Sequence, residues 1–316
     1  SWGLTKIEGA LGGPVSEKTS FRAAIMKTDS DGWMKNRFTG HDQQGIDELA
    51  WRVMLETQFS DDFTVLLNVH GGKTESDAVQ YRHLGVWNAT GDMCSTTEIL
   101  AGQCADIFGY SENAPYTTLN GVDAQAVPAY DEGNYDFEAQ NDTEFWGVSV
   151  TADWTLGNYS ITSITSFDKM DDFRPEESDG GPNNILTGEL SVNQETLAQE
   201  FQVKWQDDKW SWIAGLYYLS DEATDNTAFD ILRDLRFSAV GDDVNCSAPA
   251  GNPTGFCPEG FIFKSKSGTN QEINSLALYF DTSVNINDDL KLSMGVRYTD
   301  EEINHASFFF YDEPAA

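Results

Sequence analysis

The chain has 316 residues, enough for one large domain or two small ones, and 40% of them are hydrophobic, below an ordinary globular average. No apolar run approaches the roughly 18 residues that a transmembrane helix requires, which excludes a helical span. The formal net charge is −33, from 52 acids and 19 bases, and this argues against a basic face for nucleic acid.

What recurs is alternation of apolar and polar residues, which in a strand sends the two sets to opposite faces. A weak strand is predicted over Ile7–Leu11, then a short turn at Pro14–Lys18. Phe21, Ala23 and Ile25 next oppose Arg22 and Ala24, and a long connection, Thr28–Glu48, follows. Leu49, Trp51, Val53, Leu55, Thr57 and Phe59 oppose Ala50, Arg52, Met54, Glu56 and Gln58. After the turn Ser60–Asp62, the phase Phe63, Val65, Leu67 and Val69 opposes Thr64, Asn68 and His70. The longest connection, Gly71–Asp142, leads to Trp146–Trp154; Gly157 and Asn158 turn the chain into a weaker strand, Tyr159–Phe167. A third long connection, Lys169–Gln194, precedes Leu197–Trp205, the turn Asp207–Lys209 and Trp210–Tyr218. A fourth, Asp221–Glu272, precedes Ser275–Ile286, the turn Asn287–Asp289 and Leu290–Tyr298.

Ten strands result, and their apolar phases hold no Asp, Glu, Lys or Arg. Arg22, Arg52, Glu56, Asp153, Glu200, Lys204, Asp281, Lys291 and Arg297 all fall in the polar phase. A soluble β-sandwich also alternates, but its strands usually run about five or six residues, shorter than most of these. Connections that go short, long, short, long put every short turn on one rim and every long loop on the other, the arrangement of periplasmic turns and extracellular loops. Aromatics flank the short turns, as Phe59 and Phe63, Trp154 and Tyr159, and Trp205 and Trp210. Rings with one polar edge favour the headgroup region. The expected fold is therefore all-β, a transmembrane antiparallel up-and-down barrel with short periplasmic turns and long extracellular loops, in the outer membrane.

The acids Asp168, Asp171, Asp172, Glu176, Glu177 and Asp179 are expected in one long loop, and Asp131, Glu132, Asp136, Glu138, Asp142 and Glu144 at the end of another. Such runs are more often solvated than calcium sites, and no metal site is expected; Asp29-Ser30-Asp31-Gly32 reads as a plain turn. Cys94 and Cys104, then Cys246 and Cys257, form two close pairs in polar stretches, and no histidine sits at a zinc-like spacing from either. Two local disulfides, Cys94–Cys104 and Cys246–Cys257, are expected in an oxidising compartment. No cofactor motif, GxSxG, HExxH or Walker loop occurs, and His41, His70, His83 and His305 are scattered, so the chain does not read as an enzyme.

Several strings resemble the TonB-dependent receptor family. Glu8-Gly9-Ala10-Leu11-Gly12-Gly13-Pro14-Val15-Ser16 and Phe21-Arg22-Ala23-Ala24 resemble its early barrel strands, as does Asp31-Gly32-Trp33-Met34-Lys35-Asn36. Ala50-Trp51-Arg52 is similar to an A-x-R strand, Ser163-Ile164-Thr165-Ser166-Phe167 to a SIT-S/A-Y/F strand, and Gln199-Glu200-Phe201-Gln202 to a QE-x-R strand. Trp212-Ile213-Ala214-Gly215-Leu216-Tyr217 and Gly295-Val296-Arg297-Tyr298-Thr299-Asp300-Glu301 complete the series. The resemblance implies ten strands of a larger, 22-stranded barrel, with a plug domain absent from residues 1–316 along with the closing strands. It implies import of a scarce nutrient (a ferric siderophore, vitamin, haem or oligosaccharide), energised through the plug by the TonB complex. Lipopolysaccharide and outer-membrane lipid are the expected surroundings. The candidate binding residues are the lumen-phase Arg52, His70, Glu200, Lys204, Asp281 and Arg297. A passive porin-like channel would share the alternation; a soluble carbohydrate-binding β-protein is the third reading.

Overall fold

A computed structural model describes residues 2–37, 39–78, 80–81, 87–88, 90–95, 97–98, 101, 103–105, 131–133, 135–181, 186–231 and 263–312. Ten long strands form one antiparallel sheet: β1 Thr5–Pro14, β2 Thr19–Ser30, β3 Ile46–Ser60, β4 Phe63–Asp77, β5 Gln140–Leu156, β6 Tyr159–Glu177, β7 Leu186–Gln206, β8 Trp210–Ile231, β9 Phe263–Asn287 and β10 Leu290–Asp312. Each pairs with the next in chain order, so β1 and β10 are the sheet's edges among the described residues. All ten predicted strands are present.

The short turns lie where the sequence puts them, and their residues show why. Gly157 has φ +61°, a left-handed conformation that costs glycine nothing. Asp207 Oδ1 accepts the amides of Lys209 (2.8 Å) and Trp210 (2.6 Å), and Asn287 Oδ1 accepts that of Asp289 (3.0 Å). These side chains replace backbone partners that the reversal removes.

The long connections are shorter than predicted. Pairing continues to Ser30↔Ile46, Asp77↔Gln140, Glu177↔Thr187 and Ile231↔Phe263. Residues 31–45, 78–139, 178–185 and 232–262 remain as connections. The expected boundaries followed the loss of apolar residues, but a backbone ladder needs none. Polar pairs carry it onward: Thr224 Oγ1 donates to Asn270 Oδ1 (3.0 Å), and Lys73 Nζ lies 2.9–3.0 Å from Glu75, Asp142 and Glu144. Asp168, Asp171, Asp172, Glu176 and Glu177 therefore lie on β6, and Asp142 and Glu144 on β5, rather than in loops.

One face of the sheet is apolar and open. Leu55, Val150, Leu216, Leu278 and Val296 all lie on it and are exposed, Leu278 by 56% and Val296 by 67%. Burying such a side chain contributes about 1.5–3 kcal/mol, so a face of this extent requires an apolar solvent. At the turn end, Phe59 meets Phe63 (5.8 Å between centroids), Trp205 meets Trp210 (5.3 Å), and Tyr159 meets Trp212 (6.2 Å). At the other end, Trp146 meets Phe167 at 5.4 Å. Trp146 and Trp154 are eight residues apart on β5. At about 3.3 Å per residue and a tilt near 40°, that is roughly 20 Å along a barrel axis, close to the apolar band of an outer-membrane barrel. On this face Lys73, Glu144, Lys169, Glu195, Glu222 and Glu272 lie at or beyond the ladder row of Trp146, and the edge strand β10 adds Asp300 and Glu302 beside Leu276 and Asn274. Polar side chains within the band pair with one another: Thr165 Oγ1 donates to Gln199, whose Nε2 donates to Ser163 Oγ at 3.1 Å.

Beyond the loop-side rim, Met34–Asn36 pairs with Asp42–Gln43 and, in parallel, with Glu132–Gly133. Fully buried Asn36 ties the two connections, its Nδ2 donating to Tyr135 O (2.8 Å) and its Oδ1 accepting the Tyr135 amide (3.1 Å). Gly32, before this patch, has no room for a side chain, because a Cβ would stand 2.4 Å from the Gln43 carbonyl oxygen. Cys94 is disulfide-bonded. Cys246, Cys257 and the Cys104 side chain lie outside the described residues.

Candidate functional site

Two groups of charged side chains stand on the polar face, each built around a glycine. In the first, Arg52 on β3 is the direct ladder partner of His70 on β4, and His70 pairs in turn with Gly147 on β5. A Cβ on Gly147 would sit 2.1 Å from Asp168 Oδ1 and 2.7 Å from His70 Cε1. The missing side chain is what lets His70 Nε2 reach Asp168 Oδ1, 3.3 Å away across the whole of β5. Asn68 Nδ2 lies 3.3 Å from both His70 Nδ1 and Ser149 Oγ, fixing the ring from the other side.

The second group crosses β7 to β10. Gly215 lies between Gln202 and Tyr279 in one ladder row, and the Tyr279 ring occupies the space above it, 2.1 Å from where a Cβ would be. From there the Tyr279 hydroxyl donates to Glu200 Oε1 at 2.6 Å. The Arg297 guanidinium stands 5.8 Å from the Tyr217 ring centroid and 5.9 Å from that of Tyr279, within cation–π range. An anion, a cation and two phenol rings thus share one patch of wall. Such a patch can engage a polar or charged surface by hydrogen bonding and stacking.

Of the six sequence candidates, Arg52 and His70 come together in the first group, and Glu200 and Arg297 in the second. Lys204 and Asp281 share a ladder row on either side of Ile213, farther toward the turns, and join neither group directly. Asp168, Tyr217, Tyr279 and the two glycines were not among the candidates. Their signal was present: Gly147 and Gly215 occupy the polar phase in the middle of long strands, where a missing side chain marks a close approach.

A third cluster lies beyond the rim. Oxygens of Asp136, Glu177 and Asp179 come within 4.8 Å of one another. Glu177 is 1% exposed and accepts the amides of Asp179 (3.2 Å) and Gly180 (3.0 Å). Asp179 accepts those of Gly181 (3.0 Å) and Leu186 (2.9 Å), and the Asp136 amide donates to Gly181 O (3.3 Å). Burial, then the nearby Asp179 charge, pushes Glu177 up to about 9, so its carboxyl is protonated at neutral pH. This cluster locks the β6–β7 connection against the segment that precedes β5.

No protein-family model and no curated protein matches the chain. Solved structures do. The ferric yersiniabactin uptake receptor of Yersinia pestis superposes with a TM-score of 0.60 at 14% identity, over 97% of this chain and 41% of that one. The ferripyoverdine receptor of the Pseudomonas aeruginosa outer membrane gives 0.60 at 9%, over 99% and 38%. The ferric-catecholate import receptor of Escherichia coli K12 gives 0.55 at 11%, over 96% and 41%. The chain thus spans about two-fifths of the length of each. At these identities the likeness is one of fold: the ten-stranded meander superposes on an up-and-down portion of the β-barrels of these receptors.

Proposed function

We propose that this chain is part of the wall of an outer-membrane importer of the TonB-dependent kind, taking up a scarce nutrient with energy from an inner-membrane complex. The observation that carries the reading is two-faced: an exposed apolar band bounded by aromatics on one side, and on the other a charged wall. Almost the whole chain superposes on the barrels of ferric-siderophore receptors, which makes a ferric chelate the leading cargo. A plug in the lumen is the partner that the Glu200–Tyr279–Arg297 patch and the Arg52–His70–Asp168 patch fit, since both point away from lipid. Lipopolysaccharide and outer-membrane lipid surround the other face. Neither polar group has the nucleophile-and-base arrangement of a catalytic site, which favours transport over catalysis.

The test is uptake. Iron-restricted cells carrying the full-length gene should accumulate labelled ferric chelate, and deleting the TonB protein should abolish accumulation. Uptake that persists without it would replace this reading with a passive channel.

A further inference from the structure

Beyond the rim, on the same side of the sheet as Leu276, Leu278 and Phe280, the ends of β7 to β10 form a pocket of about 420 Å³. Two ladder rows floor it. Glu189, Ala228, Lys266 and Phe310 are paired directly across four strands, and Thr187, Asp230 and Lys264 across three. Phe137, from the segment before β5, also lines it. Lys264 Nζ lies 4.0 Å from Asp230, while Glu189 and Lys266 are exposed. Phe310, 50% exposed, stacks on Phe308 with centroids 5.2 Å apart and planes at 15°. Phe308 in turn lies over Gly268, where a Cβ would come within 2.4 Å of its ring. Phe308 thus fills the gap over Gly268 and forms a flat aromatic shelf with Phe310.

The lining selects the ligand's chemistry. A simple anion would meet Glu189 and Asp230, and a simple cation would meet Lys264 and Lys266. An apolar ligand would cover the charged groups of Glu189 and Lys266 without hydrogen bonding to them, at a cost in desolvation. A saccharide satisfies every group: its hydroxyls both donate and accept, and the C–H face of the ring packs on aromatic carbon. Position selects the source. The pocket shares its face with the apolar band, so it faces away from the lumen and from any cargo path. Lys266 lies ten residues beyond Leu276 on β9. At about 3.3 Å per residue and a tilt near 40°, that is roughly 25 Å beyond Leu276 along a barrel axis, outside the apolar band and toward the layer of surface sugars.

We propose that this pocket holds the saccharide portion of an outer-leaflet glycolipid of the membrane in which the protein sits. The proposal rests on the outer-membrane reading above but not on import. It is tested with the full-length protein, refolded free of lipopolysaccharide and titrated with soluble core oligosaccharide released from lipopolysaccharide by mild acid. Wild type should bind saturably. Phe310→Ala and Lys266→Ala should each bind at least tenfold more weakly, while heat-modifiable mobility on gels shows the barrel intact in both. TonB-dependent uptake of ferric chelate should be unchanged in both variants. Absence of saturable binding by wild type, or variants that bind as wild type does, would overturn the proposal. So would uptake lost in the variants, because the pocket would then lie on the cargo path. Import is read by uptake and saccharide binding by titration, so failure of one reading is distinguishable from failure of the other.

Discussion

Val150 offers the sharpest test of the two-faced wall. It lies on the apolar face of β5, midway between Trp146 and Trp154, 38% exposed and paired with Leu67 and Thr165. Four residues separate it from each tryptophan, so at about 3.3 Å per residue and a tilt near 40° it sits roughly 10 Å from either edge of the band, at the midplane. Val150→Arg should then reduce folding into lipid by about 2–4 kcal/mol, a factor of roughly 30 to 1000 in the equilibrium constant. The next residue, Thr151, points to the other face, where it pairs with Leu66 and Ile164. Thr151→Arg extends into an aqueous lumen and should cost under about 1 kcal/mol. The assay is reversible folding of the full-length protein into vesicles of defined thickness, titrated with guanidinium and followed by tryptophan fluorescence. Equal losses for the two arginines would refute the assignment of faces, because one side chain would then not lie in lipid while its neighbour lies in water.

Gly215→Val should displace the Tyr279 ring, break its bond to Glu200 and cost about 1–3 kcal/mol as an overpacked site; a Val variant as stable as wild type, by denaturant titration, would show that the ring does not need the gap. Glu177 binds its proton more tightly folded than unfolded, so its contribution is complete below its ordinary range near 4.5 and is lost as pH rises toward about 9. With the intrinsic pH dependence of exchange divided out, amide protection at residues 178–181 should fall across that interval in wild type and stay constant in Glu177→Gln. Non-reducing peptide maps should join Cys94 to Cys104 and Cys246 to Cys257; four free thiols, or a link between the two loops, would contradict the pairing. Cysteines introduced within 78–139 and 232–262 should label from outside intact cells, whereas one at Asp61 should not, and equal labelling would reverse or remove the orientation.

Much of this protein is legible along its sequence. Period-two alternation fixes which face each residue takes, because successive side chains of a strand must point to opposite sides. The spacing of Asp61-Asp62, Gly157-Asn158 and Asp207–Lys209 places the turns, because those residues supply their own local hydrogen bonds or a left-handed backbone. Both are local properties, set by neighbours in the chain. Strand ends on the loop side were not legible: Lys73, Asp171 and Glu272 look like loop residues, yet cross-strand pairing holds them in the ladder. Nor did the sequence reveal that Asp168 meets His70, that Tyr279 reaches Glu200, or that Lys266 and Phe310 share a pocket with Glu189. Those meetings depend on register between strands whose partners lie far apart in the chain, up to 91 residues in Phe63↔Trp154. Alternation assigns each side chain a face, but only the assembled sheet, with glycines at Gly147 and Gly215 opening gaps in its polar side, decides which side chains on that face can touch.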